Sequence, residues 1–239
     1  MTERGALRSG AVASVASKEK REAVFRERRE AMVRDQLRRR RIRDERVLRA
    51  MSAVPRHLFV PRFLQEVAYA DGALPIGHRQ TISQPYMVAL MLEALELEGN
   101  ERVLEVGAGS GYQAALLAEL AGEVWSIEIV PELAEAARER LGRLGYGNAH
   151  VVVGDGSGGL PEHAPYDAIV VAAGAPHVPP ALVEQLEPSG RLVIPVGRMG
   201  NQTLRRITRE DGEVSTENLV GCAFVPLVGV ERASGDSTA

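Results

Sequence analysis

A single cysteine, Cys222, stands in the 239 residues. One thiol excludes an intramolecular disulfide and a thiolate zinc cage, and it fits a reducing, cytoplasmic setting. No apolar run reaches the roughly 18 residues that would suggest a membrane span, and the longest stretches, 168–173 and 151–153, read as buried strands. The segment Ala11 to Ser17 lies behind Arg4 and Arg8, but its Ala and Ser residues are too weakly apolar for a signal core. Net charge is also scarce, at −3 with a pI near 6.0, so neither nucleic acid nor a membrane surface is an expected partner. The five histidines, His57, His78, His150, His163 and His177, lack ligand spacing such as H-E-x-x-H, and no metal is expected. No serine sits in a G-x-S-x-G elbow, which argues against Asp71, His78 and Ser83 as a hydrolase triad.

What the chain does contain changes character along its length. Residues 1–24 are rich in Ala, Ser, Gly and charge without an apolar period and read as a disordered extension. From Phe25 to Pro61 the pattern is helical, with Val33 and Leu37, then Val47 and Met51, four residues apart. The arginines from Arg38 to Arg49 are interrupted by Asp44 and Glu45 and preceded by Asp35, which suits a solvated helix face better than a nucleic-acid patch. Residues 25–98 thus form a helical lead-in to a core over 99–230, within one domain, and 231–239 read as a flexible tail.

In the core, strand-like and helix-like segments alternate as in a doubly wound sheet. Strands are predicted over 102–106, 124–129, 150–153, 167–172 and 191–196, with helices over 113–121, 131–144 and 179–186. Two more strand-like runs, 203–208 and 219–228, follow without an intervening helix, which predicts an antiparallel pair at the sheet edge. The fold class is α/β, Rossmann-like, with a mixed, mostly parallel sheet and helices on both faces.

The most specific local signal is Val103-Leu104-Glu105-Val106-Gly107-Ala108-Gly109-Ser110-Gly111-Tyr112, a strand entering a glycine turn and then a helix. A dinucleotide fingerprint requires glycine at the first, third and sixth positions of the turn, and here the sixth is Tyr112. Glycine falls at the first, third and fifth, with Glu105 two residues upstream. A carboxylate there suits a cationic, phosphate-free ligand, which favours S-adenosylmethionine, with its ammonium and sulfonium, over NAD or ATP. Glu128 lies 21 residues after Gly107 at a strand end, where an acid accepts hydrogen bonds from ribose hydroxyls. Gly154-Asp155-Gly156 occupies the same rim, and Asp155 with Gly156 is expected on the adenine side.

Upstream, Leu74 to Met87 (LPIGHRQTISQPYM) closely resembles the signature of bacterial protein-L-isoaspartate O-methyltransferases. Val54-Pro55-Arg56-His57-Leu58-Phe59-Val60-Pro61, the stretch 167–173 and Phe224-Val225-Pro226-Leu227 are similar to that family as well. The resemblance covers about residues 31–230 and keeps the family's motif order. It implies methyl transfer from S-adenosylmethionine to the free α-carboxylate of isoaspartyl residues in damaged proteins, the ester then collapsing to a succinimide that partly reopens to aspartate. It also implies that Thr81, Ile82 and Ser83 cover the active site, with Thr81 and Ser83 on the substrate and Ser83 as the active-site residue. By motif match, Glu105, Gly107, Gly109, Glu128 and Asp155 carry the cofactor, and Gly111 and Gly156 join them by position.

The chemistry needs no base, because a carboxylate of pKa near 4 is already ionised at neutral pH. Ser83 would orient that carboxylate by donating a hydrogen bond. Isoaspartyl peptides and proteins are the expected partners, and a monomer the expected state. The competing readings are a methyltransferase for RNA or a small molecule, and a non-catalytic module on the same fold. One departure from the family is Arg40-Arg41-Ile42, where Arg-Gly-Ile is common; a left-handed Arg41 would cost about 1 kcal/mol relative to glycine.

Overall fold

A computed structural model describes residues 19–210 and 213–229. The tail over 231–239 and most of the expected extension lie outside the described residues. Within that extension, residues 19–24 are helical: they belong to α1 (19–32), which continues through a π-helical turn and a 3-10 turn to Arg41. Composition does not reveal this helix start because α1 is anchored late, by Phe25 and Met32, both buried. Arg41 is left-handed, with φ 69°, and its N–H closes on the Arg38 carbonyl. The flanking arginines are held by ion pairs, Arg38 to Glu45, Arg34 and Arg39 to Asp35, and Arg40 to Asp71.

Helix α2 (Glu45–Ala53) starts where the Asp44 side chain accepts from the N–H groups of Arg46 and Val47. A two-stranded hairpin follows, β1 (Leu74–Gly77) with β2 (Gln80–Ile82), turning through His78 and Arg79, both at positive φ. Helix α3 (Pro85–Leu95) then leads into the main sheet.

That sheet comprises β3 (Arg102–Val106), β4 (Glu123–Glu128), β5 (Ala149–Val153), β6 (Tyr166–Val171), β7 (Leu186–Arg198), β8 (Asn201–Glu210) and β9 (Glu213–Cys222), in the order β5-β4-β3-β6-β7-β8-β9. The first five strands are parallel, and β7, β8 and β9 pair antiparallel at one edge. The sequence placed the last strand over 219–228; the structure moves it to Glu213–Cys222, and residues beyond Cys222 leave the sheet. Polar residues of the exposed edge strand carry no apolar signal, whereas the apolar run 223–228 packs elsewhere.

Both faces of the parallel strands are buried, so their sequences are nearly continuous apolar runs with alternate residues serving opposite cores. Val103, Val124, Ala168, Val170 and Val193 meet α2, α3, α4 (Tyr112–Ala118) and α5 (Pro131–Leu144). Leu104, Ile127, Ile169, Leu192 and Ile194 face the thinner cover of Leu160, Tyr166 and α6 (Pro180–Glu184). From β3 the chain steps outward to β4 and β5, then returns to the other side of β3 as β6. Ligands of doubly wound sheets bind at the carboxyl ends of the strands beside such a reversal. Among the described residues, no helix is long and apolar enough to cross a membrane.

Candidate functional site

At that reversal a cleft of about 490 Å³ opens over the carboxyl ends of β3, β4 and β6. Its floor is Glu105 to Ser110 and Ala172 to Ala173; one wall is Ile127 to Ile129 with Gly156. The hairpin side contributes Gln80 to Gln84, and the far wall is the chain from Gly221 to Val228. Of the residues expected from sequence, Thr81, Ser83, Glu105, Gly107, Gly109, Glu128 and Gly156 line this one space.

The glycine turn is shaped by backbone sterics. Gly107 sits at φ 95°, and its N–H donates to the Ile127 carbonyl at 2.8 Å, tying the turn to β4. A side chain there would be strained and would face Ala172 across the mouth of the cleft. Gly111 also has positive φ, but its missing Cβ faces Ala137 of α5, 3.2 Å away. Gly111 therefore lets two elements approach each other and does not line the cleft.

The acids differ in their surroundings. Glu105 is completely buried; Ser126 Oγ donates to its Oε2 at 2.5 Å, while its Oε1 has no partner among the described residues. Burial pushes its pKa up to about 8; the Ser126 hydrogen bond opposes the shift and the Glu128 charge adds to it. A buried acceptor without a partner costs free energy unless something fills it. Gln113 lines the same cleft, is buried, and its Nε2 likewise has no partner among the described residues. An empty acid acceptor and an empty amide donor suit the ammonium and carboxylate of an amino acid, the end group of S-adenosylmethionine. Sequence reasoning missed Gln113, although a polar residue in the first turn of an otherwise apolar α4 was a usable signal.

Glu128 is 5% exposed; its Oε2 accepts from Gly109 N–H at 2.8 Å and its Oε1 from Val130 N–H at 2.9 Å. Each oxygen keeps a second lone pair, which leaves capacity for hydroxyl donors. Asp155 is placed differently: its side chain accepts from Ser157 N–H at 2.9 Å, capping a 3-10 turn, and lies against Gly229. It does not line the cleft; its neighbour Gly156 does, so tightly against Val106 and Ile127 that a Cβ would collide with both.

The far wall is anchored by pairings invisible in the sequence. Gly174 N–H donates to the Val225 carbonyl, and Leu227 N–H donates back to Gly174. The buried Gln202 amide completes the clamp, donating to the Phe224 carbonyl at 3.2 Å and accepting from its N–H at 2.6 Å. Asp71 is engaged with Arg40 and with Gln84 Nε2, while His78 is exposed at the hairpin turn, so Asp71, His78 and Ser83 form no relay.

The sequence pattern described as Protein-L-isoaspartate(D-aspartate) O-methyltransferase matches residues 27–232. A protein-L-isoaspartate O-methyltransferase of Methanoculleus marisnigri is 57% identical over 201 residues, 84% of this chain and 91% of that protein. One from Myxococcus xanthus is 56% identical over 205 residues, covering 84% and 97% respectively. A Plasmodium falciparum structure assigned as a protein-L-isoaspartate O-methyltransferase, in complex with S-adenosyl-L-homocysteine, superposes with a TM-score of 0.74 at 29% identity, covering 84% of this chain and 98% of that one.

Proposed function

The chain belongs to the protein-L-isoaspartate(D-aspartate) O-methyltransferase family, and from that premise we propose how its cleft carries the reaction. The protein is a methyltransferase that uses S-adenosylmethionine and acts on the free carboxylate of isoaspartyl residues, the first step in repairing them. The observation that carries the site assignment is that one cleft is lined by both Glu105, whose buried Oε1 has no partner among the described residues, and Gln113, whose buried Nε2 has none either.

On this reading Glu105 receives the ammonium of the cofactor and Gln113 its carboxylate. Glu128 holds the ribose, and Gly107, Gly109 and Gly156 supply bare backbone beside it. Gly111 and Asp155 shape their turns from behind. When bound, S-adenosylmethionine supplies a methyl group on a sulfonium, ready for a carboxylate oxygen.

Thr81 and Ser83 lie on the opposite side of the cleft and meet the substrate. Ser83 donates a hydrogen bond to one carboxylate oxygen and leaves the other aimed at the methyl group. No residue needs to remove a proton, since the attacking group is ionised at neutral pH. The protein's contribution is alignment and exclusion of water, which the hairpin and the 223–228 wall provide.

Isoaspartyl peptides are favoured over RNA because the arginines nearest the lead-in are paired with acids. A single cysteine, which leaves no intramolecular disulfide to form, is what favours a reducing, cytoplasmic location, and we take the working form to be a monomer. The chemical class is tested by incubating the protein and labelled cofactor with an aged, isoaspartate-containing protein. Label released as methanol under mild base is the expected result; base-stable label would mean methylation of nitrogen or ring carbon and would overturn the reading.

A further inference from the structure

Arg56 is a charged residue in an apolar setting. It is completely buried between Val54 and Phe59, and its guanidinium meets no carboxylate among the described residues. Nε donates to the Ala68 carbonyl at 2.8 Å, Nη2 donates to the Ser83 carbonyl at 2.8 Å, and Nη1 is buried with no hydrogen-bond partner among the described residues. The guanidinium lies 4.9 Å from the ring centroid of Tyr112, which lines the same cleft as Ser83. Burial lowers its pKa, with the phenols of Tyr112 and Tyr69 opposing the shift.

Such a group is expensive to keep, because an unpaired buried cation loses its hydration without gaining a counterion. A packing role alone would be filled more cheaply by an apolar side chain of similar volume. Its two carbonyl contacts bridge the turn at Ala68 and the strand end at Ser83, and the neighbouring Gln84 is tethered separately to Asp71.

We propose that Arg56 is a positioning residue for the substrate side of the cleft: it fixes the Ser83 segment through the Ser83 carbonyl and lends a buried, uncompensated positive charge to the wall that receives an anionic carboxylate. The proposal rests on the function proposed above. Electrostatics gives it a kinetic signature. The carboxylate loses its charge as it takes the methyl group, so a nearby cation stabilises the bound anion at least as well as the transition state. Removing the cation should therefore weaken substrate binding more than it slows the chemical step.

The test uses the full chain, Arg56→Lys and Arg56→Met, an isoaspartyl peptide and S-adenosylhomocysteine. Loss of a hydrogen bond from a charged group together with the charge should raise the peptide KM of Arg56→Met roughly tenfold to a hundredfold. The fall in kcat should be smaller, and the Kd for S-adenosylhomocysteine should stay nearly unchanged. Arg56→Lys keeps a cation but not the two-carbonyl fork, so its KM should fall between the other two. Hydrogen exchange should quicken at residues 80–84 and not at 105–111. Should Arg56→Met fail to fold, the lysine variant and its exchange pattern carry the test.

An unchanged KM in Arg56→Lys with unchanged exchange at 80–84 would overturn the proposal. So would a rise in the S-adenosylhomocysteine Kd as large as the rise in KM, since that is the mark of general structural support. Absence of isoaspartyl methylation by the unmodified protein would instead strike the proposed function, so the two failures are distinguishable.

Discussion

The protonation of Glu105 gives the cofactor assignment a quantitative consequence. In the free protein its carboxyl is wholly buried, has a pKa of about 8, and is therefore neutral at pH 6. An ammonium placed against Oε1 favours the ionised form, so binding below pH 8 must expel one proton. Affinity for S-adenosylhomocysteine, which bears the same ammonium, should then improve by up to tenfold per pH unit as the pH rises and level off above about 8. Between pH 6 and 8 the gain is about fiftyfold, or about 2.3 kcal/mol, and it approaches a hundredfold on the plateau above that. The stability of the free protein should move the other way. A raised folded pKa contributes stability that is complete below the ordinary carboxyl value and is lost as pH climbs through the folded value, here between about 4.5 and 8. Calorimetry in two buffers of different ionisation enthalpy measures both affinity and proton release. Glu105→Gln, a neutral isostere, should bind more weakly at pH 8 and with a flat pH response. A wild-type Kd independent of pH, with a buffer-independent enthalpy, would refute the reasoning.

Other perturbations test separate parts of the account. Ser83→Ala should slow methyl transfer by roughly ten- to a hundredfold, the worth of one hydrogen bond to a charged group, with cofactor affinity intact by calorimetry. Arg41→Gly should stabilise the protein by about 1 kcal/mol in denaturant melts, because φ 69° carries a penalty only for a residue with a Cβ. Phe25 is buried and stacks on His57 with centroids 4.0 Å apart, so Phe25→Ala should cost about 3–5 kcal/mol. Removing residues 1–24 takes away the first residues of α1, the Arg21 contacts with Gln65 and Glu66, and the pair of Glu22 with buried His57; the ion pairs contribute no more than about 1 kcal/mol each, and fraying of the shortened α1 should add to the loss seen in denaturant melts.

The parts of this protein that were legible from sequence are those where one physical demand acts at a time. Strands buried on both faces must be apolar throughout, which is why 102–106 was placed to the residue and the other parallel strands to within a residue or two, apart from the longer β7; helix 131–144 was also placed to the residue, because Pro131 and Glu132 mark its start and Gly145 its end. The glycine turn and Glu105 were legible because sterics and charge leave few alternatives there. Where two demands compete, the pattern misleads. The run 223–228 looks like a strand but is apolar because it walls the cleft, held by Gln202 and Gly174; the true edge strand, with Glu213 and Glu217, looks like a loop because solvent covers it. Asp155 satisfies the local needs of an Asp-Gly turn, and spacing alone could not separate that from a ligand contact. Arg56 is hidden for a related reason. Charge reads as surface, and only the apolar residues around it, Val54, Leu58, Phe59 and Val60, hint that the guanidinium is enclosed.

The most direct measurement is methyl transfer to two peptides that differ only in whether one position is isoaspartate or aspartate. The account predicts incorporation into the isoaspartyl peptide alone, as a base-labile ester, because the cleft receives a free α-carboxylate presented beside Ser83. Equal methylation of both peptides, or of neither while S-adenosylhomocysteine still binds, would contradict it.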